Sequence, residues 1–341
     1  MDRSWRVAVL GATGLVGETM IKVLAERRFP VSELHPLASS RSLGRSIEFR
    51  GKRQAVVDVA SFDFSQADIG LFSAGGEVSR VYAPRAAAAG CIVIDNTSEF
   101  RYDDDVPLVV PEVNPEAIAG YTRRRIIANP NCSTIQMVVA LKPIYDAVGI
   151  ERINVATYQS VSGAGREAVE ELAEQTAQLL QGKGPVTPRV LAKQIAFNCV
   201  PEIDKFQDNG YTKEEMKILW ETRKIFADNR IRVNATAVRV PVFFGHSEVV
   251  HIETGRKLTA EAARALLRQA PGVEVIDERR PGGYPTAATE AANRDTVYVG
   301  RIREDMSHDR GLDLWIVADN VRKGAATNSV QIAEILVRER L

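Results

Sequence analysis

The stretch RVAVLGATGLVG, residues 6–17, decides the fold of this chain. Its first five residues form an apolar run typical of a buried strand, and a glycine turn then leads into helical periodicity at residues 20–24. Gly11, Gly14 and Gly17 permit a tight turn, close approach of the backbone to a pyrophosphate and close packing of helix on strand. The spacing is GxxGxxG instead of GxGxxG. Its place after the first strand favours a nucleotide site over a plain turn, which stays the alternative.

The segment after the second predicted strand, residues 34–38, indicates which nucleotide is bound. An NAD-specific fold usually places an Asp or Glu there, on the ribose hydroxyls. This chain has Ser39, Ser40, Arg41 and Ser42 instead. Hydroxyls and a forked guanidinium suit a ribose 2′-phosphate, so NADP is predicted over NAD. A solvated serine-rich loop is the alternative.

The same βα pattern continues with strands at residues 69–73 and 91–95 around an alanine-rich helix at 78–89. Strands that alternate with helices predict an α/β fold with a doubly wound parallel sheet, in which ligands collect at the carboxyl ends of the strands. Ser73, Gly75 and Asn96 fall at such ends. Cys91, inside an apolar strand, is predicted to be core. Arg101 follows in a loop, either as an anion-binding group or as a surface charge.

A single cysteine stands at the next strand-to-helix junction, in NPNCST at residues 129–134. Pro130 ends the strand predicted at 125–128, and a helix is predicted at 135–145. Cys132 therefore lies at a helix N-terminus. The helix dipole and free N–H groups there favour the reactive thiolate and can hold an oxyanion, which makes Cys132 a candidate nucleophile.

Beyond the cysteine helix the chain predicts a second set of strands and helices. Glu214 and Lys217 are three residues apart, so they share one face of a helix at 213–226, where a surface ion pair is the plain interpretation. The other predicted elements are strands at 150–159, 231–240, 249–254, 297–302 and 312–317, helices at 166–180 and 324–341, a glycine-rich turn at 160–165, and loops at 182–188 and 282–285.

Gly245 and His246 precede the strand at 249–254 and predict a bent, exposed site for a histidine. A histidine near its ordinary pKa can move a proton at neutral pH. His251 lies five positions later, so on a continuous strand it would point to the opposite face. The two histidines cannot then serve one site.

Composition excludes several classes of protein. The 341 residues are 45% apolar, which is enough for two domains, and 44 basic residues balance 44 acidic ones. The absence of net charge argues against nucleic acid or an anionic membrane as partner. Three cysteines without paired spacing and four histidines predict neither a disulfide framework nor a metal site. With no signal-like or membrane-spanning apolar run, the predicted location is cytoplasmic.

These pieces together resemble the aspartate-β-semialdehyde dehydrogenase family, from Val7 to the terminal helix. The segments that carry the resemblance are Gly11-Ala12-Thr13-Gly14, Asn129 to Thr134, Gln159 with Ser162-Gly163, Glu214 with Lys217, Arg239-Val240-Pro241, Gly245-His246-Ser247, and Asp319-Asn320 before Arg322 to Ala326.

The resemblance implies a role for each of these positions. Cys132 would be the acyl-thioester nucleophile, His246 the general acid/base and Gln159 the residue that orients the intermediate. Arg239 and Glu214 would bind the carboxylate and ammonium of an aspartyl group, and Arg101, Asn131 and Lys217 its phosphate. The NADP site would include Thr13, Gly14, Leu15, Val16, Arg41, Ser42, Ser162, Gly163 and Asn320, beside Gly11, Ser39, Ser73 and Gly75 from the strand-end pattern.

The implied fold is a Rossmann-type domain at residues 1–130, completed by the helix at 322–341, plus a second α/β catalytic and dimerisation domain at 131–321. The implied reaction is the NADPH-dependent reductive dephosphorylation of L-aspartyl 4-phosphate by a homodimer, in lysine, methionine and threonine biosynthesis.

Two alternatives stay open. An N-acetyl-γ-glutamyl-phosphate reductase has the same chemistry, but it typically carries glycine before the nucleophile, where this chain has Asn131, and its acylated substrate would not need the Glu214 carboxylate. A non-catalytic NADP-binding paralogue could discard the nucleophile or the base, whereas this chain retains Cys132 and His246.

Overall fold

The computed structural model describes residues 3–341, and the chain divides into two compact units, Met1–Asn131 with Ala325–Leu341 and Cys132–Gly324. The strands are β1 Trp5–Leu10, β2 Val31–Ala38, β3 Ser46–Phe49, β4 Lys52–Ala55, β5 Val57–Asp58, β6 Ile69–Phe72, β7 Ile92–Asp95, β8 Ile126–Ala128, β9 Ile150–Gln159, β10 Arg232–Arg239, β11 His246–Thr254, β12 Val273–Val275, β13 Val297–Glu304 and β14 Gly311–Ala318. The α-helices are α1 Leu15–Glu26, α2 Gly76–Ala88, α3 Cys132–Val148, α4 Arg166–Leu180, α5 Lys213–Phe226, α6 Ala260–Gln269 and α7 Thr327–Glu339.

The first unit is built on a parallel sheet with the strand order β5-β2-β1-β6-β7-β8. Strands β6 and β7 are buried along their whole length, as expected for a parallel sheet covered on both faces. Helices α1 and α7 pack together, and Val7, Met20 and Val330 share one apolar core. The predicted Rossmann-type doubly wound sheet is confirmed, and the C-terminal helix belongs to it.

The second unit is built on a mixed sheet with the order β10-β9-β11-β14-β13-β12. Strand β11 pairs antiparallel with both β9 and β14, whereas β10 runs parallel to β9. Helix α3 lies against β11 and β14, and its buried residues are mostly apolar after a polar first turn. Burial alternates along β9, because only one face of the sheet is covered by this helix.

The structure corrects three predicted boundaries in the second half of the chain. Strand β11 begins at His246 instead of residue 249, because His246 already pairs with Ala318. The predicted terminal helix is preceded by a π-helical turn, Arg322–Ala326, in which the Gly324 N–H donates to the Asp319 carbonyl at 3.0 Å. The loop predicted at 182–188 extends from the end of α4 to the start of α5.

Two side chains of α4 hold this long loop in place. Glu171 accepts hydrogen bonds from the backbone N–H groups of Arg189, Val190 and Leu191. Gln175 accepts from the backbone of Ile195 and Ala196, which belong to a small apolar cluster with Val161 and Leu172. The loop therefore has fixed backbone partners although it has no helix of its own.

Candidate active site

Cys132 is the first residue of α3, as the sequence predicted. The strand before it ends at Ala128, and the Asn129 N–H donates to the Asp95 carbonyl at 2.8 Å, so the chain leaves the sheet there. The Cys132 side chain is partly exposed, whereas Cys91 is buried and Cys199 is exposed. Cys91 is completely buried, which confirms its predicted place in the core, and burial raises the pKa of its thiol to about 12.

Gly324 lies directly against the candidate nucleophile. A Cβ atom at Gly324 would come within 2.7 Å of the Cys132 Cβ, closer than real side chains approach. The π-helical turn therefore places the Gly324 backbone in contact with Cys132, and only glycine fits there because it has no Cβ. The resemblance placed this glycine in a family segment without giving it a role.

His246 is fully buried, which corrects the prediction of an exposed histidine. Strand β11 begins at His246 itself, so the imidazole belongs to the sheet and not to an exposed loop. Burial, followed by the positive charge on Arg239, lowers the pKa of His246 from 6.5 to about 3. The expectation of a histidine near its ordinary pKa was therefore wrong, and the ring is neutral at neutral pH.

The hydrogen bonds of His246 identify its tautomer. The Ser160 backbone N–H donates to Nδ1 at 3.0 Å, and a backbone N–H can only donate. Nδ1 is therefore an acceptor, and the proton of the neutral ring is on Nε2. This Nε2 has no hydrogen-bond partner among the described residues. His251, half-buried with Nδ1 3.2 Å from Asp313, points to the other face of β11, as predicted.

A buried hydrogen-bond network surrounds Nδ1 of His246. The Asn320 amide oxygen accepts from the Ser160 and Ser162 hydroxyls at 3.1 Å each and from the Gly245 N–H at 3.0 Å. The Ser160 hydroxyl also lies 3.1 Å from His246 Nδ1. The sequence predicted the glycine-rich turn at 160–165 but gave no role to Ser160, its first residue. Ser162 and Asn320, predicted to contact NADP, are thus also parts of the histidine's support.

Arg239 and Gly163 complete the surroundings of the histidine. Arg239 is buried, and its Nη1 donates to the Ser160 carbonyl at 2.8 Å. A Cβ at Gly163 would come within 2.8 Å of that Nη1 and 3.3 Å of His246 Nε2. Burial lowers the pKa of Arg239, and the Glu214 and Cys132 charges oppose that effect. The guanidinium, the imidazole and the thiol therefore lie in one region of the second unit.

Glu214 is buried and its ion-pair partner Lys217 is half-buried, so the surface interpretation was wrong. Their atoms Oε2 and Nζ are 2.9 Å apart, and the same Nζ lies 2.8 Å from Asp204 Oδ2. Gln159 donates from Nε2 to Glu214 Oε1 at 3.1 Å. Asp204 was missed because it lies in the irregular loop, where no sequence pattern marks it. Gln159, Glu214 and Lys217 are thus brought together as one charged cluster.

The first unit holds the predicted nucleotide residues at its strand ends. Gly11 has φ +86°, and a Cβ there would lie 3.0 Å from the Ser73 backbone. Gly14 is the N-cap of α1, and no side chain of the described chain caps that helix. Thr13 Oγ1 lies 3.2 Å from Ser42 Oγ, which joins the glycine turn to the segment after β2. The remaining predicted positions are Leu15 and Val16, which are half-buried, Ser39 and Arg41, which are exposed, and Gly75, which precedes α2.

Arg101 and Asn131 are buried in the first unit. Arg101 donates from Nε to the Thr97 carbonyl at 3.0 Å and from Nη2 to the Asn96 carbonyl at 2.9 Å. The surface-charge interpretation of Arg101 was wrong, because its guanidinium is fixed by backbone carbonyls.

Residues 3–341 contain neither a metal-binding cluster nor a membrane-spanning helix. No set of three or more His, Cys, Asp or Glu side chains there is arranged to hold a metal ion. None of the helices in that range is both long enough and apolar enough to cross a membrane.

Comparisons with known proteins agree along the whole chain. Residues 6–121 match the semialdehyde dehydrogenase NAD-binding domain, and residues 141–323 match the semialdehyde dehydrogenase dimerisation domain. The aspartate-semialdehyde dehydrogenase of Shewanella sp. (strain DB6705) is 63% identical over 339 residues, covering 99% of each chain. That of Aquifex aeolicus is 55% identical over 338 residues, again covering 99% of each chain.

Solved structures give the same result. The aspartate semialdehyde dehydrogenase II of Vibrio cholerae complexed with ASA superposes with a TM-score of 0.98 at 61% identity, over 100% of both chains. The aspartate semialdehyde dehydrogenase of Candida albicans with NADP superposes with a TM-score of 0.75 at 26% identity, over 98% of this chain and 99% of that one. The chain therefore belongs to the aspartate-semialdehyde dehydrogenase family.

Proposed function

We propose that this NADP-dependent oxidoreductase converts L-aspartyl 4-phosphate to L-aspartate 4-semialdehyde, and that it catalyses the phosphate-dependent oxidation of the aldehyde in reverse. Its products feed lysine, methionine and threonine biosynthesis. The observation that carries the proposal is the set of groups around Cys132 in the second unit, where a cysteine at a helix start shares a buried region with Arg239 and His246. A thiolate, a fixed cation and a neutral imidazole are what acyl transfer through a thioester requires.

Cys132 is the proposed nucleophile. Its sulfur attacks the carbonyl carbon of the acyl phosphate, a C–S bond forms, and the C–O bond to phosphate breaks with its electron pair on the leaving phosphate. NADPH, when bound, supplies the hydride that reduces the thioester to the aldehyde. The helix N-terminus stabilises the thiolate before the attack and again when the aldehyde leaves.

His246 acts in this proposal through Nε2–H. Because Nδ1 accepts from the Ser160 backbone, a second proton on the ring would face that N–H. The neutral ring therefore donates from Nε2 to the carbonyl oxygen of the substrate as that oxygen becomes negative. In this role His246 is a neutral hydrogen-bond donor that stabilises the oxyanion, instead of the proton-transferring acid/base that the resemblance implies, so its lowered pKa is no obstacle.

Two opposite charges in the second unit suit an amino-acid substrate. The Arg239 guanidinium can bind the α-carboxylate as a fork, and the Glu214 carboxylate can bind the ammonium. Gln159, fixed by Glu214 Oε1, is proposed to orient the thioester. The phosphate roles of Arg101, Asn131 and Lys217 remain predictions.

The first unit fits the NADP cofactor. Because Gly11 has no Cβ, the Ser73 backbone can pack directly against the glycine turn, and the uncapped N-terminus of α1 at Gly14 offers N–H groups to a pyrophosphate. Arg41 and Ser42 are proposed to hold the 2′-phosphate. Further contacts at Thr13, Leu15, Val16, Ser39 and Gly75, and at Ser162, Gly163 and Asn320, are proposed from the family resemblance.

We also propose that residues 1–130 with 322–341 form the cofactor domain and that residues 131–321 form the catalytic and dimerisation domain. Three cysteines without a disulfide support a reducing location, and we propose the cytoplasm.

The deciding experiment is phosphate-dependent formation of NADPH from L-aspartate 4-semialdehyde and NADP. We expect turnover with the free amino acid and none with N-acetyl-γ-glutamyl semialdehyde, because Glu214 requires an ammonium. Turnover of the acetylated aldehyde alone would assign the enzyme to the alternative reaction. Absence of turnover with either aldehyde would indicate a non-catalytic NADP-binding protein.

The nucleophile is tested separately. Cys132→Ala should abolish turnover and leave NADP binding nearly intact, measured by calorimetry. Partial alkylation with iodoacetamide followed by peptide mass spectrometry provides the control, because Cys199 is exposed and should also react. Activity loss should follow the labelling of Cys132 and should be independent of the labelling of Cys199. Activity loss that follows the labelling of Cys199 would show that Cys132 is not the nucleophile.

A further inference from the structure

Glu248 is a buried carboxyl group for which the proposed mechanism has no use. It lies two residues after His246 on β11, so both side chains point to the face of the strand that packs against α3. Glu248 is completely inaccessible to solvent. Neither of its carboxyl oxygens makes a hydrogen bond of normal geometry to any described residue. A carboxyl left in this state within a core needs a physical explanation.

Two polar side chains flank Glu248, and each also contacts a residue of the candidate site. Gln136 lies one turn after Cys132 on α3, and its Nε2 donates to the His246 carbonyl at 3.4 Å. Thr157 stands opposite Glu248 in the pairing of β9 with β11, and its hydroxyl donates to Gln159 Oε1 at 3.1 Å. Gln136 and Thr157 are both inaccessible to solvent.

The protonation of Glu248 decides whether these groups can satisfy one another. Burial raises the pKa of Glu248 well above its ordinary value, and only the Gln136 amide lowers it. Neither bond has normal geometry in the structure, but a neutral carboxyl has one donor and one acceptor, which match the Thr157 hydroxyl and the Gln136 amide. A carboxylate could only accept, which would leave a buried charge without a cation.

We propose that Glu248 is a positioning residue for the reaction, which as a neutral carboxylic acid joins Gln136 to Thr157 and thereby holds His246 and Gln159 in register with the helix that carries Cys132. The proposal rests on the function proposed above, because it concerns the same nucleophile and the same imidazole. Glu248 touches neither substrate nor cofactor. It acts by fixing the His246 backbone, through Gln136, and the Gln159 amide, through Thr157.

Glu248→Gln and Glu248→Leu separate this role from others. Glutamine keeps a donor and an acceptor in the same shape, so Glu248→Gln should retain a kcat close to that of the unmodified enzyme. Leucine has similar volume but no polar atoms, so Glu248→Leu should lower kcat roughly ten- to a hundredfold, as small misplacements of catalytic groups do. The KM for the semialdehyde and the Kd for NADP should change little. The Tm of Glu248→Leu should fall, because the buried Gln136 amide loses the acceptor that the proposal gives it.

Thr157→Val tests the same connection from its other end, which is needed if Glu248→Leu does not fold. It removes one hydroxyl and keeps the shape, so kcat should fall while KM stays constant. When both substitutions are combined, the losses should be smaller than the product of the single losses, because they break the same connection. Val250→Ala, on the same face of β11 but farther from His246, is the matched control, and it should lower Tm without lowering kcat.

Each result decides the question. Unmodified enzyme without phosphate-dependent turnover would refute the proposed function itself. If that enzyme is active but Glu248→Leu and Thr157→Val keep its kcat, Glu248 is only a part of the core and the positioning role is wrong. If Glu248→Gln is as defective as Glu248→Leu, the carboxyl must ionise during turnover, and the neutral-acid role is equally wrong.

Discussion

Burial has opposite effects on the pKa values of two residues on the same face of β11, His246 and Glu248. It lowers the pKa of His246 to about 3 and raises that of Glu248 well above its ordinary value. The cause is the same, because a low-dielectric surrounding disfavours whichever form is charged. At the residue scale, β11 therefore contributes the neutral His246 ring to the site, and the charges come from Arg239 and from the Glu214–Lys217 pair.

The buried imidazole predicts how stability depends on pH. Between pH 6.5 and about 3 the unfolded chain binds a proton on His246 that the folded chain does not bind. The unfolded state is therefore favoured as pH falls through this window, and the full stability contribution is present above pH 6.5. His246→Asn should lose less Tm between pH 7 and pH 5 than the unmodified protein, as measured by scanning fluorimetry. Parallel Tm curves for the two proteins would show that the folded histidine titrates normally.

Gly163 has a steric role that can be tested. A methyl group there would press on Arg239 Nη1 at 2.8 Å and on His246 Nε2 at 3.3 Å. Both side chains are buried and hydrogen-bonded, so they cannot move away freely. Gly163→Ala should raise the KM for the semialdehyde and lower kcat, with kcat/KM reduced roughly a hundredfold. Gly120→Ala, where the new Cβ meets only ordinary contacts at 3.5 Å, should leave both parameters unchanged.

At the scale of elements, one carboxylate joins a helix start to a strand end. Glu215, in the first turn of α5, accepts from the Thr212 N–H at 2.7 Å and from the Ala237 N–H at 2.9 Å. The neighbouring residue Glu214 belongs to the charged cluster, and Ala237 is two residues before Arg239 on β10. The spacing between the proposed ammonium and carboxylate ligands is thus fixed by backbone bonds to Glu215.

Glu215→Ala should therefore affect substrate binding as well as folding. Two buried N–H groups would lose their acceptor, which should lower the free energy of unfolding by about 1–3 kcal/mol for each such group. The KM for the semialdehyde should rise more than kcat falls, in steady-state assays. Thr259→Ala removes the cap of α6 outside the site and should lower stability by about 1 kcal/mol without changing KM. An unchanged KM in Glu215→Ala would show that α5 and β10 keep their spacing without this carboxylate.

At the scale of the whole molecule, the mixed sheet of the second unit has one face packed against helix α3 and another that carries exposed aromatic residues. On the other face Tyr158 and Trp315 make a tilted aromatic pair with centroids 5.8 Å apart, and Val249 lies on the strand between them. Tyr158 is 40% exposed, which is unusual for an aromatic residue in a central strand. The protein is a homodimer with a dimerisation domain, and this open face is the one that we expect the partner to cover.

Val249→Arg should therefore weaken the dimer. A guanidinium on this face would lose its hydration when the partner binds, and that desolvation costs free energy. Sedimentation velocity at micromolar concentration should show monomer for Val249→Arg. Val81→Arg, at a half-exposed position on α2 of the first unit, should remain a dimer. A dimeric Val249→Arg would place the interface on another surface.

Local sequence signals determined the first unit and the position of Cys132. Glycine spacing, apolar runs and a proline-terminated strand act over a few residues, so the strand–turn–helix at residues 6–17 and the helix start at Cys132 could be predicted from the sequence. The ion pair Glu214–Lys217 could also be predicted, because helix geometry alone puts residues three apart on one face.

Only the tertiary structure decided how deeply these groups are buried. Whether His246, Arg101 and Glu214 lie inside depends on segments far away in sequence, and burial in turn sets their protonation and their partners. The tautomer of His246 depends on the backbone of Ser160, which is 86 residues away. Asp204, in an irregular loop, reaches Lys217 only through the fold. A sequence pattern fixes which face of an element a residue is on, but desolvation is a property of everything packed against that face.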